Sequence, residues 1–270
     1  MRALLNLLRC EFAKLRRKPL FFAAAAVSAL IPLGCALFLP DFQAFTSGAE
    51  VVDGMMSTLF QMSAYLLLMP ALVVLASNLL FEEQDNDTLK SLMTVPVSKP
   101  ALAMAKMALL FLFSIAFMAV GGLVILVIVL AAGWEPVGFW RLFLVGIGQG
   151  IMMWAGALPC ILLVVLLNRS YIVSVIITFF YTAVNYIFGL NDLFITQPFG
   201  LNLGTLLPGP LTFRWYFQYL DFSNAGTEML GLLERVSPYF VTTAQAFLVT
   251  GVEAAVFLAL IALVYKRQGV

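Results

Sequence analysis

Residues 107–132 read MALLFLFSIAFMAVGGLVILVIVLAA, 26 consecutive positions without a charge. Coiled as an α-helix, such a run rises about 1.5 Å per residue and exceeds the roughly 30 Å of a bilayer's hydrocarbon core. A buried helix of a soluble domain needs neither that length nor an apolar surface on every side. Working outward from this run, five more apolar segments read the same way. The six predicted spans are Leu20–Leu39, Ser57–Leu80, Leu102–Ala132, Leu142–Leu167, Tyr171–Leu190 and Thr242–Tyr265. The third is longer than a crossing requires, so it begins as a cytoplasmic helix or tilts. Composition agrees: 63% of the 270 residues are hydrophobic and 11% charged, against about 25% charged in soluble domains.

The distribution of basic residues sets the expected orientation. The amino-terminal stretch holds Arg2, Arg9, Lys14, Arg16, Arg17 and Lys18; loop 81–106 adds Lys90, Lys99 and Lys106; Arg169, Lys266 and Arg267 complete that side, twelve in all. The other side has Arg141, Arg214 and Arg235, three in all. The expectation is therefore an all-α polytopic protein with six transmembrane helices and both termini cytoplasmic. The first apolar run, about 20 residues with no small-x-small site before Asp41, is longer than a signal-peptide core and reads as a retained helix. Residues 1–18 carry Leu4, Leu8, Phe12 and Leu15 at helical spacing opposite Asn6, Arg9 and Arg16, an amphipathic interfacial helix on the membrane surface. The 191–241 stretch, expected to be an extracellular loop, holds Trp215, Tyr216, Phe217, Tyr219, Phe222 and Tyr239 among several prolines. That density suits a membrane interface, with part of the stretch a short helix or re-entrant piece.

Absences narrow the chemistry. The chain has no histidine, which removes the commonest general base and metal ligand. Its three cysteines, Cys10, Cys35 and Cys160, form no metal-type spacing, so no metal site and no catalytic residue is expected. No G-x-x-x-x-G-K-[ST] phosphate loop occurs, and a net charge of +1 gives no reason to expect nucleic acid. One carboxylate, Glu253, falls near the middle of the sixth span, with Gln149 in the fourth and Asn185 in the fifth as candidate polar partners. Either the three line a transport path, or Glu253 is protonated or hydrogen-bonded as packing glue. Gly121, Gly122, Gly146, Gly148 and Gly150 allow helices to approach closely.

The most informative stretch outside the spans is FEEQDNDTLKSLMTVPVSKP, residues 81–100. Asp85, Asn86 and Asp87 are competent helix caps, and Pro96 ends a helix expected from Thr88 to Thr94. On it Leu89, Leu92 and Met93 stand at i, i+3 and i+4, a small apolar ridge of the kind that docks a partner. The acidic pair Glu82–Glu83, then Asp87-Thr88-Leu89-Lys90, Pro96-Val97-Ser98-Lys99 and Lys106 resemble the loop between the second and third helices of type-2 ABC transporter permeases. Asp87 departs from the family's usual Gly. The opening Glu11–Lys18 is also similar to the family's amino-terminal connecting helix, so the resemblance runs over the whole chain as a single permease domain, 1–270. In length and pattern it looks closest to lantibiotic-immunity and bacitracin-resistance permeases.

The resemblance implies that loop 81–101 is the coupling loop. Thr88, Leu89, Leu92 and Met93 would dock into a separate ABC ATPase subunit, and Glu82 and Glu83 would fix the loop against it. It implies two ATPase copies, a second permease subunit, identical or related, and ATP with Mg held by the ATPase, with no cofactor on this chain. It also implies a multi-pass protein of the bacterial cytoplasmic membrane that contacts lipid and exports an amphipathic antimicrobial peptide. A gradient-driven secondary transporter or channel is the alternative class; a membrane enzyme, lacking histidine and an intramembrane acid pair, ranks below both.

Overall fold

In lipid every backbone amide must find its partner inside the protein, which leaves helices as the economical solution for segments this apolar. The computed structural model describes residues 12–13, 19–38, 47–85, 99–167, 171–223 and 226–267, and helix is the regular structure throughout them. Phe12 and Ala13 are helical and exposed; the rest of the expected interfacial helix lies outside the described residues.

The first expected span is broken in two. α1 (Pro19–Val27) and α2 (Leu30–Phe38) meet at a turn over Ser28 and Ala29. Pro32, near the start of α2, has no amide to offer the Ser28 carbonyl. The chain tightens instead through Ser28 N to Ala25 O at 3.1 Å and Ala29 N to Ala26 O at 3.0 Å. The second span starts earlier than Ser57. α3 (Gly48–Thr58), a π-helical segment (Leu59–Leu68) and α4 (Met69–Asp85) form one unbroken helical path. Ser47 caps it by accepting from Glu50 N at 3.3 Å, and Val51, Val52, Met55 and Met56 are buried on its inner face.

α5 (Lys99–Ala131) follows, then α6 (Phe139–Leu167) and α7 (Tyr171–Gly189). The α5–α6 turn needs glycine: Gly133 and Gly138 have φ of 81° and 75°. Trp134 N bonds Val129 O and Gly133 N bonds Leu130 O, both at 3.1 Å, a helix end closed by a left-handed residue. The stretch expected as a loop is mostly helical. It contains α8 (Asp192–Ile195), α9 (Leu203–Leu206), α10 (Pro208–Tyr216), a 3₁₀ turn at Phe217–Tyr219, α11 (Thr227–Val236) and a second 3₁₀ turn at Ser237–Tyr239, before α12 (Thr243–Arg267).

α6 is the hub, packed against α4, α5, α7, α10 and α12. α12 is peripheral: 17% of its most apolar window is buried, against 61% for α6. Among the described residues four helical stretches, Gly48–Leu80, Lys99–Ala131, Phe139–Leu167 and Thr243–Arg267, are long and apolar enough to cross a membrane, and Phe22–Leu37 and Val175–Gly189 are shorter apolar helices. At one end, here the broad end, the α5–α6 turn and the 190–242 segment meet the start of α3. Asp221 N donates to Asp53 Oδ2 at 2.9 Å and Arg141 Nη2 to Tyr219 O at 2.8 Å. At the opposite end lie the end of α4, the start of α5, the end of α6 and the start of α7. Lys106 of α5, grouped with a loop by the sequence reading, is fully buried there and donates to the Leu79 carbonyl of α4.

Candidate functional site

Pro208-Gly209-Pro210 starts a helix because proline at its first positions is already set to helical φ and gives up an amide that had no partner. All nine residues of the resulting α10 are buried, so it folds back into the bundle as a wedge. Gly209 permits this: a Cβ there would lie 2.0 Å from the Asn185 carbonyl of α7. The Gly209 amide donates to Asn185 Oδ1 at 3.2 Å. Its carbonyl accepts from the Tyr65 hydroxyl of the π segment at 2.9 Å, and Tyr65 also meets the Thr212 hydroxyl. On the other side Pro208 seats on Gly156 of α6, where a Cβ would come within 2.6 Å. The wedge therefore joins the π segment, α6 and α7.

Arg214, also on α10, is fully buried. Its Nε donates to Tyr239 O at 2.8 Å and its Nη1 to Gly204 O at 3.0 Å, which ties α9 and the Ser237–Tyr239 turn to the wedge. Nη2 has no partner among the described residues. Burial pulls the guanidinium pKa below its ordinary value. Three of the six aromatics expected at a membrane interface turn inward instead. Trp215, Tyr216 and Phe217 are buried, with Phe213 stacked on Phe217 at 4.8 Å and Phe60 against Tyr216 at 5.2 Å. A membrane belt needs the ring edges at the surface; here their area goes into the core.

The three polar residues of the expected path have separate placements. Gln149 is buried and donates to the Phe60 carbonyl at 2.9 Å. Phe60 lies in the π segment, whose i→i+5 pattern shifts the ladder of backbone partners. Asn185, also buried, donates to Tyr181 O at 2.9 Å while accepting from Gly209. Glu253 is half-buried on the peripheral α12, between exposed Val252 and Val256, and within electrostatic reach of Tyr181. Glu82 and Glu83 lie in the last turns of α4. Thr88, Leu89, Leu92 and Met93 lie outside the described residues.

A cavity of about 290 Å³ opens at the broad end between the start of α3 and residues 220–223, 226 and 229. Carboxylates of Glu50, Asp53 and Asp221 and hydroxyls of Ser47, Ser57 and Ser223 share its wall with Leu220, Phe222 and Met229. The Ser223 hydroxyl and amide both donate to Asp221 Oδ1 and hold that carboxyl below the usual carboxylate range. An acidic wall beside apolar side chains suits a cationic, amphipathic group. Sequence reading passed over this site, because Asp53 and Asp221 are 168 positions apart.

The sequence model of a family described as ABC-2 family transporter protein matches residues 7–185. The chain belongs to that family. No curated protein matches it. As an ABC-2 permease, it is a membrane component of an ABC transporter and works with an ABC ATPase subunit. The permease family's match stops at Asn185, the residue on which Gly209 rests. The whole 190–242 segment, with the wedge and one wall of the cavity, lies beyond it.

Proposed function

We propose that this ABC-2 permease exports an amphipathic antimicrobial peptide, lantibiotic or bacitracin-like, from the bacterial cytoplasmic membrane, for self-protection or resistance. Family membership over residues 7–185 carries the transporter reading. The acidic, partly apolar cavity at the broad end supports the substrate class, since such peptides combine positive charge with apolar surface. In this reading the chain has six spans, the four long helical stretches plus Phe22–Leu37 and Val175–Gly189. Its termini are cytoplasmic, which puts the broad end and its cavity outside. Residues 81–101 form the coupling loop, and Glu82, Glu83, Thr88, Leu89, Leu92 and Met93 engage the ATPase. Two ATPase copies and a second permease subunit complete the assembly. ATP and Mg are bound and ATP is hydrolysed on the partner, so this chain is no enzyme itself. Glu253 faces the peptide's route, while Gln149 and Asn185 hold the helices that border it. Membership in an ATP-driven family leaves the gradient-driven alternative without support.

The test expresses the chain with its ATPase in a sensitive host and measures growth inhibition by a lantibiotic and by bacitracin. The expected result is a several-fold rise in the inhibitory concentration of at least one, reduced by Asp53→Asn and by Glu253→Gln. No rise for either, in cells where the complex is present in the membrane, overturns the substrate assignment. Full protection by Glu253→Gln removes Glu253 from the route.

A further inference from the structure

Burial strips a polar group of water, so each buried hydroxyl or amide needs a partner inside the protein, and the demand is strictest at membrane depth. Two buried groups that meet it with no direct bond belong to one neighbourhood. Gln149 Oε1 on α6 and the Tyr216 hydroxyl on α10 are fully buried and make no hydrogen bond among the described residues. The Phe60 ring lies between their elements, with its carbonyl accepting from Gln149 Nε2 at 2.9 Å and its centroid 5.2 Å from that of Tyr216. Tyr65 is near enough to interact with the Gln149 side chain and with Tyr216, and Gln61 with the Tyr216 hydroxyl.

None of these neighbours is free to close the gap. The Tyr65 hydroxyl donates to Gly209 O at 2.9 Å, and Thr212 Oγ1, one turn before Tyr216 on α10, donates to Pro208 O at 2.6 Å. The bond to Phe60 O fixes the Gln149 amide, so Oε1 cannot swing away without breaking it. The Tyr216 ring is fixed in turn by Phe60 on one side and by Phe213, at 5.6 Å, on another. What remains is an acceptor and a hydroxyl donor on two rigid supports, complementary in chemistry and joined by no direct bond. A water molecule supplies both missing partners at once, and buried waters characteristically make about three such bonds. The Gln61 amide beside Tyr216 offers the third. The backbone here is the π segment, and departures from regular helix at membrane depth are sustained by neighbouring side chains and ordered water.

We infer that the core of the bundle holds a water-binding site against the π segment, in which the water donates to Gln149 Oε1 and accepts from the Tyr216 hydroxyl. The same amide then holds Phe60 O through its nitrogen and α10 through its oxygen. The π segment, α6 and α10 share one polar contact.

The test is X-ray hydroxyl-radical footprinting of the full chain with its ATPase in phospholipid vesicles. X-rays split water into radicals where it sits, so a buried side chain beside bound water is oxidised and a dry one is spared. Modification rates of Tyr65 and Tyr216, read by mass spectrometry and divided by the intrinsic reactivity of each residue type, are compared with that of buried Phe117. Both tyrosines should be modified several-fold faster than Phe117. Rates no higher than that of Phe117 show a dry core and overturn the inference. Gln149→Leu removes the acceptor and should bring Tyr216 down to the level of Phe117; undiminished labelling in a variant that elutes like the parent overturns the assignment to Gln149. Tyr216→Phe keeps the ring and its packing and gives an independent reading. Loss of a water-bonded hydroxyl should lower the melting temperature, whereas loss of an unpaired buried hydroxyl raises it. A melting temperature at or above the parent's overturns the inference.

Discussion

The wedge makes two chemically identical substitutions differ in sign. Gly209→Ala puts a Cβ 2.0 Å from the backbone carbonyl oxygen of Asn185. That oxygen cannot rotate away, so α10 and α7 must part by about 1 Å to reach the 3.0 Å that real Cβ contacts keep. The same movement stretches the 3.2 Å bond from Gly209 N to Asn185 Oδ1 beyond hydrogen-bonding range. Overpacking costs about 1–3 kcal/mol, and a buried donor and acceptor left without each other about 1–3 kcal/mol. Together about 2–6 kcal/mol is expected. Gly251→Ala, in the interior of α12, meets nothing within 4 Å and gains helix propensity, at most about 1 kcal/mol. Thermal unfolding of both variants in one mild detergent, followed by the loss of the monodisperse species, should rank Gly209→Ala well below the parent and Gly251→Ala level with or above it. Asn185→Ala should be less than additive with Gly209→Ala, since the two share a contact. Parental stability of Gly209→Ala would refute the wedge's seat on α7.

Three further outcomes are expected. Arg214→Lys keeps the charge, but one ammonium cannot replace the separate bonds to Tyr239 O and Gly204 O; the loss should be about 2–3 kcal/mol in the same melt, and a loss under about 0.5 kcal/mol would contradict the geometry. Lys106→Met removes a buried charge together with its bond to the Leu79 carbonyl, two effects that partly offset. The bundle should stay assembled while peptide stimulation of ATP hydrolysis falls several-fold in reconstituted vesicles; an unchanged ratio of stimulated to basal rate argues against a role for Lys106 in coupling. Leu89→Asp combined with Leu92→Asp should strip the ATPase from the purified permease without disturbing its elution, and retained co-purification of a folded variant removes the docking role from that ridge.

The apolar helices were legible where one physical signal dominates. Residues 102–132 were expected as a helix and Lys99–Ala131 is one; 171–190 was expected and Tyr171–Gly189 is found. Hydropathy falters where a helix carries its own charges, so Glu50 and Asp53 hid the first turns of α3, although Ser47 before them is a good cap. It also misses a break such as that at Ser28, where Pro32 removes one bond from an otherwise uniform apolar run. The buried cations were the harder case. Lys106 and Arg214 were both counted with loops, and nothing in their local periodicity distinguishes them from solvated ones. Their partners, Leu79 O and the carbonyls of Gly204 and Tyr239, are backbone atoms supplied by the tertiary fold. Leaving both out changes the basic-residue count from twelve and three to eleven and two, so the inferred orientation does not depend on them. Pro208 and Pro210 counted in the sequence only as prolines interrupting the 191–241 stretch, yet they start a helix; that it turns inward depends on Asn185, Gly156 and Tyr65, all distant in sequence.

The helical path from Gly48 to Asp85 links the two ends of the molecule. Its first turns carry Glu50 and Asp53 in the wall of the cavity, and its last turn ends at Asp85, just before the stretch expected to couple to the ATPase. A straight rod would pass a tilt at one end directly to the other. Here the 10 residues Leu59–Leu68 are π-helical, and two of them are held from outside, Phe60 O by Gln149 and the Tyr65 hydroxyl by Gly209 O. One hold comes from α6, within the family's matched region, and the other from α10, beyond it. A ligand that draws Asp53 and Asp221 together acts on the rod and on the segment that carries α10 at once, because those two carboxylates belong to the two parts. The π segment is then the place where their relative movement must be absorbed or passed on. On that argument the π segment is held from one side by the part of the chain inside the family match and from the other by the part outside it.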